Sequence, residues 1–149
     1  MCSYGAHAMK VLVVEDSRPL RLEDQRVLSN AGYRVITAED GETALRLAVE
    51  EKPELIILDL MLPKLSGVEV LKRLKDDART AVIPVIVLSG LSQKNAEKLM
   101  DEGAEAYYEK NEVMPDTRHN RLPKVLEEVI CRVNRKRGIR LSSIPIPKN

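Results

Sequence analysis

The chain has 149 residues, the length of a single domain, and its 24 basic and 23 acidic side chains leave a formal charge of +1. With 44% hydrophobic and 32% charged residues, the composition excludes a wholly disordered chain and supports a core that buries about two thirds of the unfolded surface. No apolar stretch approaches the roughly 18 residues of a membrane span, the opening MCSYGAHAMK lacks the apolar centre of a secretory signal, and Cys2 and Cys131 offer neither a disulfide framework nor metal-ligand spacing.

These exclusions lead to the expectation of a cytoplasmic protein. The near-neutral total conceals an asymmetry, because residues 1–117 carry 15 basic and 21 acidic side chains while residues 118–149 carry 9 and 2. A solvated helix end whose cations complement the helix dipole accounts for the basic end, which includes Arg132, Arg135, Lys136, Arg137 and Arg140. Neither nucleic acid nor a membrane surface is expected as a partner.

Met9 directly precedes the first apolar run, so residues 1–8 read as a leader or an expression remnant. VLVV (11–14) is the first strand. Ser17, with Pro19 just inside, opens a helical pattern through Leu20, Val27, Leu28 and Ala31 that stops at Gly32. The weaker run Val35 and Ile36 is a second strand, followed by a helix through Ala44, Leu45 and Ala48. LIIL (55–58) is the third strand, and Ser66 opens a helix through Val68, Leu71 and Leu74. VIVL (85–88) is the fourth, followed by a helix through Ala96, Leu99 and Met100 that stops at Gly103. A fifth strand fits Ala106, Tyr107 and Tyr108. The polar stretch Asn111 to Asn120 reads as an irregular connection. The last helix carries Val125, Leu126, Val129, Ile130 and Val133, with Pro123 in its first turn, where the missing donor is tolerated. Residues 138–149 read as an irregular tail.

Apolar runs without alternation belong to strands covered on both faces. Five βα units then fold most economically as α/β, a doubly wound parallel sheet with helices on both faces.

The chemistry collects at the ends of these strands. Glu15 and Asp16 follow the first, Asp59 the third, Ser89 the fourth, and Lys110 comes two residues after Tyr108. In an open parallel sheet the carboxyl ends share one edge, where ligands bind at the point of strand-order reversal. Three carboxylates suit a magnesium ion, and a hydroxyl with an ammonium suits a phosphoryl oxygen. Each residue alone reads as an ordinary loop residue; the joint pattern reads as a site.

VLVVEDS, AEDGETAL, LIILDLMLPKLSGVEVLKRL, PVIVLSG and EGAEAYYEK, in that order, resemble the receiver domain of bacterial two-component response regulators over residues 9–137, in the manner of stand-alone chemotaxis regulators. The resemblance implies a flavodoxin-like strand order 2-1-3-4-5. It implies Asp59 as phosphoacceptor, Glu15, Asp16 and Asp59 with the backbone carbonyl of Met61 as ligands of Mg2+, Ser89 as the switch hydroxyl, Lys110 as the phosphate-pairing lysine and Tyr107 as an aromatic rotamer switch. The implied partners are a sensor histidine kinase or phosphotransfer protein, and a downstream protein docking on the last two helices and fifth strand; a homodimer is left open. In this family the residues two after the phosphoacceptor and two after the switch hydroxyl flank the path of hydrolytic water. Here they are Met61 and Leu91, which implies slow self-dephosphorylation.

One departure concerns the residue after Lys110. The family usually has a cis proline there, whereas this chain has Asn111, and a non-proline cis bond costs about 2.5–4 kcal/mol. The following loop is therefore expected to run differently. Only 11 residues follow Gly138, and even a small independent domain needs roughly 55–65, so the output is expected in a partner, or else the chain is a receiver fragment of a larger regulator or hybrid kinase. The enzyme rival is an aspartyl-phosphate phosphohydrolase of the haloacid dehalogenase type. Such enzymes carry a second Asp two positions after the first, where Met61 supplies no general acid. A phosphorylation-independent interaction module leaves the acidic pair, Asp59 and Lys110 without a purpose.

Overall fold

A computed structural model describes residues 8–90, 96–116 and 119–138. In chain order the elements are β1 (Lys10–Val14), α1 (Arg18–Asn30), β2 (Arg34–Ala38), α2 (Gly41–Glu51), β3 (Leu55–Asp59), α3 (Gly67–Asp76), β4 (Val85–Ser89), α4 (Ala96–Asp101), β5 (Ala106–Glu109), α5 (Lys110–Val113) and α6 (Leu122–Lys136). The five strands form one parallel sheet in the order β2-β1-β3-β4-β5. The order reverses between β1 and β3, where Val14 lies beside Leu58.

Alternate residues of each central strand serve two separate cores, as the two-residue period of a strand requires. Val11, Val13, Ile57 and Ile86 point to the side of α1 and α6, meeting Leu28, Leu126 and Val129. Leu12, Val14, Ile56, Leu58 and Val87 point to the other side, meeting Ala44, Ala48, Leu71, Leu74 and Leu99 of α2, α3 and α4. Both faces are covered, which explains why the strand sequences show no polar alternation.

Local caps set where the helices begin. Ser17 accepts from the Leu20 N–H at 3.5 Å and Ser66 from the Glu69 N–H at 3.3 Å. Asp40 does the same for α2 through the Thr43 N–H at 2.8 Å, each cap supplying an acceptor to a first-turn donor that has no helical partner. Pro123 lies in the first turn of α6. Gly103, at φ 111°, ends α4 in a conformation that disfavours a Cβ.

The polar stretch after Lys110 departs from its expected irregular path. Residues 110–113 form the short helix α5, and Asp116 and His119 make an antiparallel bridge. The cause is a capping box. The Glu112 side chain accepts from the Glu109 N–H at 3.2 Å and the Glu109 side chain accepts from the Glu112 N–H. Val113, 1% exposed, then anchors the turn in the core. No cis peptide bond occurs among the described residues.

Candidate functional site

Because β1, β3, β4 and β5 run parallel, their carboxyl ends deliver Glu15, Asp59, Ser89 and Lys110 to one edge of the sheet. Glu15 and Asp59 follow the paired residues Val14 and Leu58, and so emerge side by side at the point of strand reversal. Both are buried, Ser89 is fully buried, and Asp16 is exposed at the mouth. Lys110 reaches across from the far side. Its Nζ donates to Glu15 Oε1 at 2.8 Å and to Asp59 Oδ2 at 3.0 Å.

Backbone donors hold the other carboxylate oxygens. The Ser17 N–H donates to Glu15 Oε2 at 3.2 Å, and the Met61 N–H donates to Asp59 Oδ1 at 3.1 Å. The Met61 side chain itself is 58% exposed at the rim. Tyr107 is partly buried against the core on the side of α2, α3 and α4. Leu91 lies outside the described residues.

Glu15, Asp16 and Asp59 each offer one oxygen to a group of three whose members all lie within 4.8 Å of one another. These are hard oxygen donors converging on one point. With all three ionised, the carboxylates against one ammonium leave two negative charges, which is the charge a divalent cation cancels. Burial pushes the Glu15 carboxyl up to about 7; the Lys110 hydrogen bond opposes that rise and the neighbouring Asp59 charge reinforces it. Burial works against the Lys110 ammonium, but the hydrogen bond to Glu15 and the charges of Asp59 and Glu15 outweigh it, and its pKa is raised. The lysine therefore stays charged at neutral pH.

Three contributors escaped the sequence reading. Arg21 donates from Nη1 to the Glu15 carbonyl at 2.9 Å and to the Asp16 carbonyl at 3.3 Å, clamping the backbone of the acidic pair. Its signal was a cation one turn into the helix that follows the pair. Gly67 brings α3 against the end of β3, where a Cβ would stand 2.5 Å from Leu60 Cα and 2.6 Å from the Asp59 carbonyl oxygen. Asp24 is 1% exposed inside α1. Burial raises its carboxyl to about 7, against the pull of Lys110 and the Asn120 amide and with the push of Glu23 and Asp59.

Glu15 and Asp24 both bind a proton in the folded chain at pH values where the unfolded chain has released it, since their ordinary values are 4.5 and 3.8. A folded state that holds more protons loses stability as pH rises. In chelator, the melting temperature is expected to fall between about pH 4 and pH 7 and to level off above. Asp24→Asn should flatten part of that fall and raise the melting temperature at pH 8; a profile unchanged by the substitution would remove Asp24 as a source.

A doubly wound sheet with two buried carboxylates, an exposed one and a bridging lysine at the strand-reversal edge is the architecture of a receiver module. The chain belongs to the response regulator receiver domain family, whose model matches residues 11–120. It is 42% identical over 102 residues to the alkaline phosphatase synthesis transcriptional regulatory protein PhoP of Bacillus subtilis, a match covering 68% of this chain and 42% of that protein. It is 39% identical over 101 residues to the polar-differentiation response regulator DivK of Brucella anthropi, covering 67% of this chain and 82% of that protein. Among solved structures, chemotaxis protein CheY4 of Vibrio cholerae superposes with a TM-score of 0.72 at 30% identity, covering 83% of this chain and 99% of that one. The chain thus spans less than half of the PhoP relative and most of the DivK relative. No helix among the described residues is long and apolar enough to cross a membrane.

Proposed function

We propose that this receiver accepts a phosphoryl group on Asp59 from the phosphohistidine of a sensor histidine kinase or phosphotransfer protein, and signals in the cytoplasm through protein contacts. One observation carries the reading: the Lys110 ammonium forms ion pairs with two buried carboxylates, Glu15 and Asp59, at the carboxyl ends of β1 and β3. An Asp59 oxygen attacks phosphorus, an O–P bond forms, and the P–N bond to the imidazole breaks, the imidazole leaving with a proton. The lysine neutralises charge on the phosphoryl oxygens during transfer, so positioning and electrostatics carry most of the catalysis.

Glu15, Asp16, Asp59 and the backbone carbonyl of Met61 would hold Mg2+, which when bound compensates phosphoryl charge. The three carboxylates fit that role by donor type and convergence. Asp16 is the exposed member of the set, so Asp16→Ala should leave the fold intact and weaken Mg2+ binding about tenfold or more. Titration at near-physiological salt checks this, and unchanged affinity would remove Asp16 from the ligand set.

Ser89, buried at the end of β4, is the hydroxyl that turns toward the new phosphoryl group, and Tyr107 on neighbouring β5 follows into the space it leaves. The changed surface is that of β5 with the helices flanking it, which a downstream protein reads. The apolar Met61 at the rim offers no strong hydrogen bond to an attacking water, which favours a long-lived signal.

Retention of the group tests the reading. A receiver keeps one phosphoryl group per chain after transfer from a phosphohistidine donor. Sustained release of inorganic phosphate from a phosphate monoester, over many turnovers, would instead make the chain a phosphohydrolase.

A further inference from the structure

Of the three carboxylates that converge at the sheet edge, Glu15 and Asp59 are buried, and each accepts from Lys110 and from a backbone N–H. Asp16 is exposed and is held by its backbone instead, its carbonyl accepting from Arg21 Nη1 at 3.3 Å. The direction of the Asp16 side chain therefore follows the conformation of the peptide that carries it.

Arg21 braces that peptide against two other segments. The same Nη1 donates to the Glu15 carbonyl at 2.9 Å, while the Glu15 N–H donates to the Ala38 carbonyl at the end of β2 at 3.0 Å. Nη2 lies 3.9 Å from the carboxylate of Glu39, the residue after Ala38. The Arg21 N–H in turn donates to the Ser17 carbonyl at 2.8 Å, which seats the residue in the first turns of α1. The end of β1, the end of β2 and the start of α1 are thus stitched together through one guanidinium. The Arg21 side chain is 15% exposed and that of Glu39 70%, so the guanidinium is packed in place and the acid is an outer, solvent-screened partner.

We propose that Arg21 is a positioning residue that tilts the acidic site toward Mg2+ over Ca2+, by holding the Glu15–Asp16 peptide so that the carboxylates keep the close spacing a small cation needs. This rests on the reading of Glu15, Asp16 and Asp59 as a Mg2+ site. Their oxygens lie within 4.8 Å of one another. Mg2+ demands near-octahedral contacts at about 2.1 Å, whereas Ca2+ accepts roughly six to eight oxygens at about 2.3–2.6 Å in flexible arrangements. A site free to widen therefore loses more affinity for Mg2+ than for Ca2+. Arg21 acts on a bound cation in two opposed ways, since its charge repels the ion while its hydrogen bonds order the ligands. The repulsion falls equally on two ions of equal charge and cancels from the ratio of their affinities. The ordering does not cancel.

The test is a titration of the full chain with MgCl2 and, separately, with CaCl2 at near-physiological salt, read from the backbone amide NMR signals of Glu15, Asp16 and Asp59. No phosphodonor is present, and a thermal melt in chelator reports the fold of each variant. Arg21→Ala is expected to weaken Mg2+ binding about tenfold and Ca2+ binding about threefold or less, so that the ratio of affinities moves about threefold or more toward Ca2+. Arg21→Lys keeps the charge without the guanidinium fork. It should move the ratio in the same direction by a smaller factor, and it carries the comparison alone if Arg21→Ala melts below the titration temperature. An equal loss for the two ions in a folded variant, tighter binding of both, or an unchanged ratio overturns the proposal. Wild-type amides that do not respond to MgCl2 refute the metal-site reading itself, and the proposal with it.

Discussion

Lys110→Ala is expected to fold and melt within a few degrees of wild type, yet to lose its response to phosphorylation. The ammonium spans Glu15 and Asp59 at 2.8 and 3.0 Å, so its removal leaves two neighbouring acids in one pocket. Glu15, already raised to about 7, can take up a proton and share it with Asp59, which relieves the repulsion that would otherwise unfold the edge of the sheet. No such relief exists in the phosphorylated state. There the phosphoryl oxygens lose a charge-assisted donor worth roughly 1.5–3 kcal/mol, which corresponds to about ten- to hundredfold in phosphorylation-dependent partner binding. Partner affinity measured with and without phosphodonor checks this, beside a thermal melt. An unchanged ratio of affinities would assign Lys110 to the fold alone.

Gly67→Ala should produce the larger structural effect. The added methyl group would meet Leu60 Cα at 2.5 Å and the Asp59 carbonyl at 2.6 Å, both backbone atoms rather than the far end of a flexible side chain. α3 or the end of β3 must move. Overpacking of this kind costs about 1–3 kcal/mol, or roughly 2–4 °C of melting temperature for each kcal/mol in a chain of this size. The strain falls on the backbone that aims Asp59, so phosphorylation should slow as well. Gly90, directly after Ser89, supplies the control, because a Cβ there meets nothing among the described residues within 4 Å. Gly90→Ala should stay within about 0.5 kcal/mol of wild type. Equal melting temperatures for the two variants would contradict the close approach of α3 to β3.

The sheet and the edge where the candidate residues gather were legible because their signals are strong and local. VLVV, LIIL and VIVL are too short and too β-branched for helices, and each is followed at once by an acid or a hydroxyl that the parallel topology carries to one edge. Ser17 and Ser66 announced their helices through capping chemistry, and both side chains make the expected bonds. α5 was not legible. Its four residues KNEV are mostly polar, show no helical period, and owe their shape to a reciprocal pair of Glu side chains anchored by Val113. Asp24 was hidden for the opposite reason. In a helix pattern a charged residue reads as solvent-facing, and only the tertiary position of α6 reveals that it is buried. Arg21 and Gly67 act on backbone atoms a few residues back along the chain, and only the turn from strand to helix brings them into contact.

The assignment of Asp59 as phosphoacceptor is tested most directly by intact mass after incubation with Mg2+ and acetyl phosphate, for wild type and Asp59→Asn side by side. The amide keeps the size of the carboxylate and cannot form the acyl phosphate. The expected result is one added phosphoryl group on wild type and none on the variant. Equal modification of both proteins, or of neither, would contradict it.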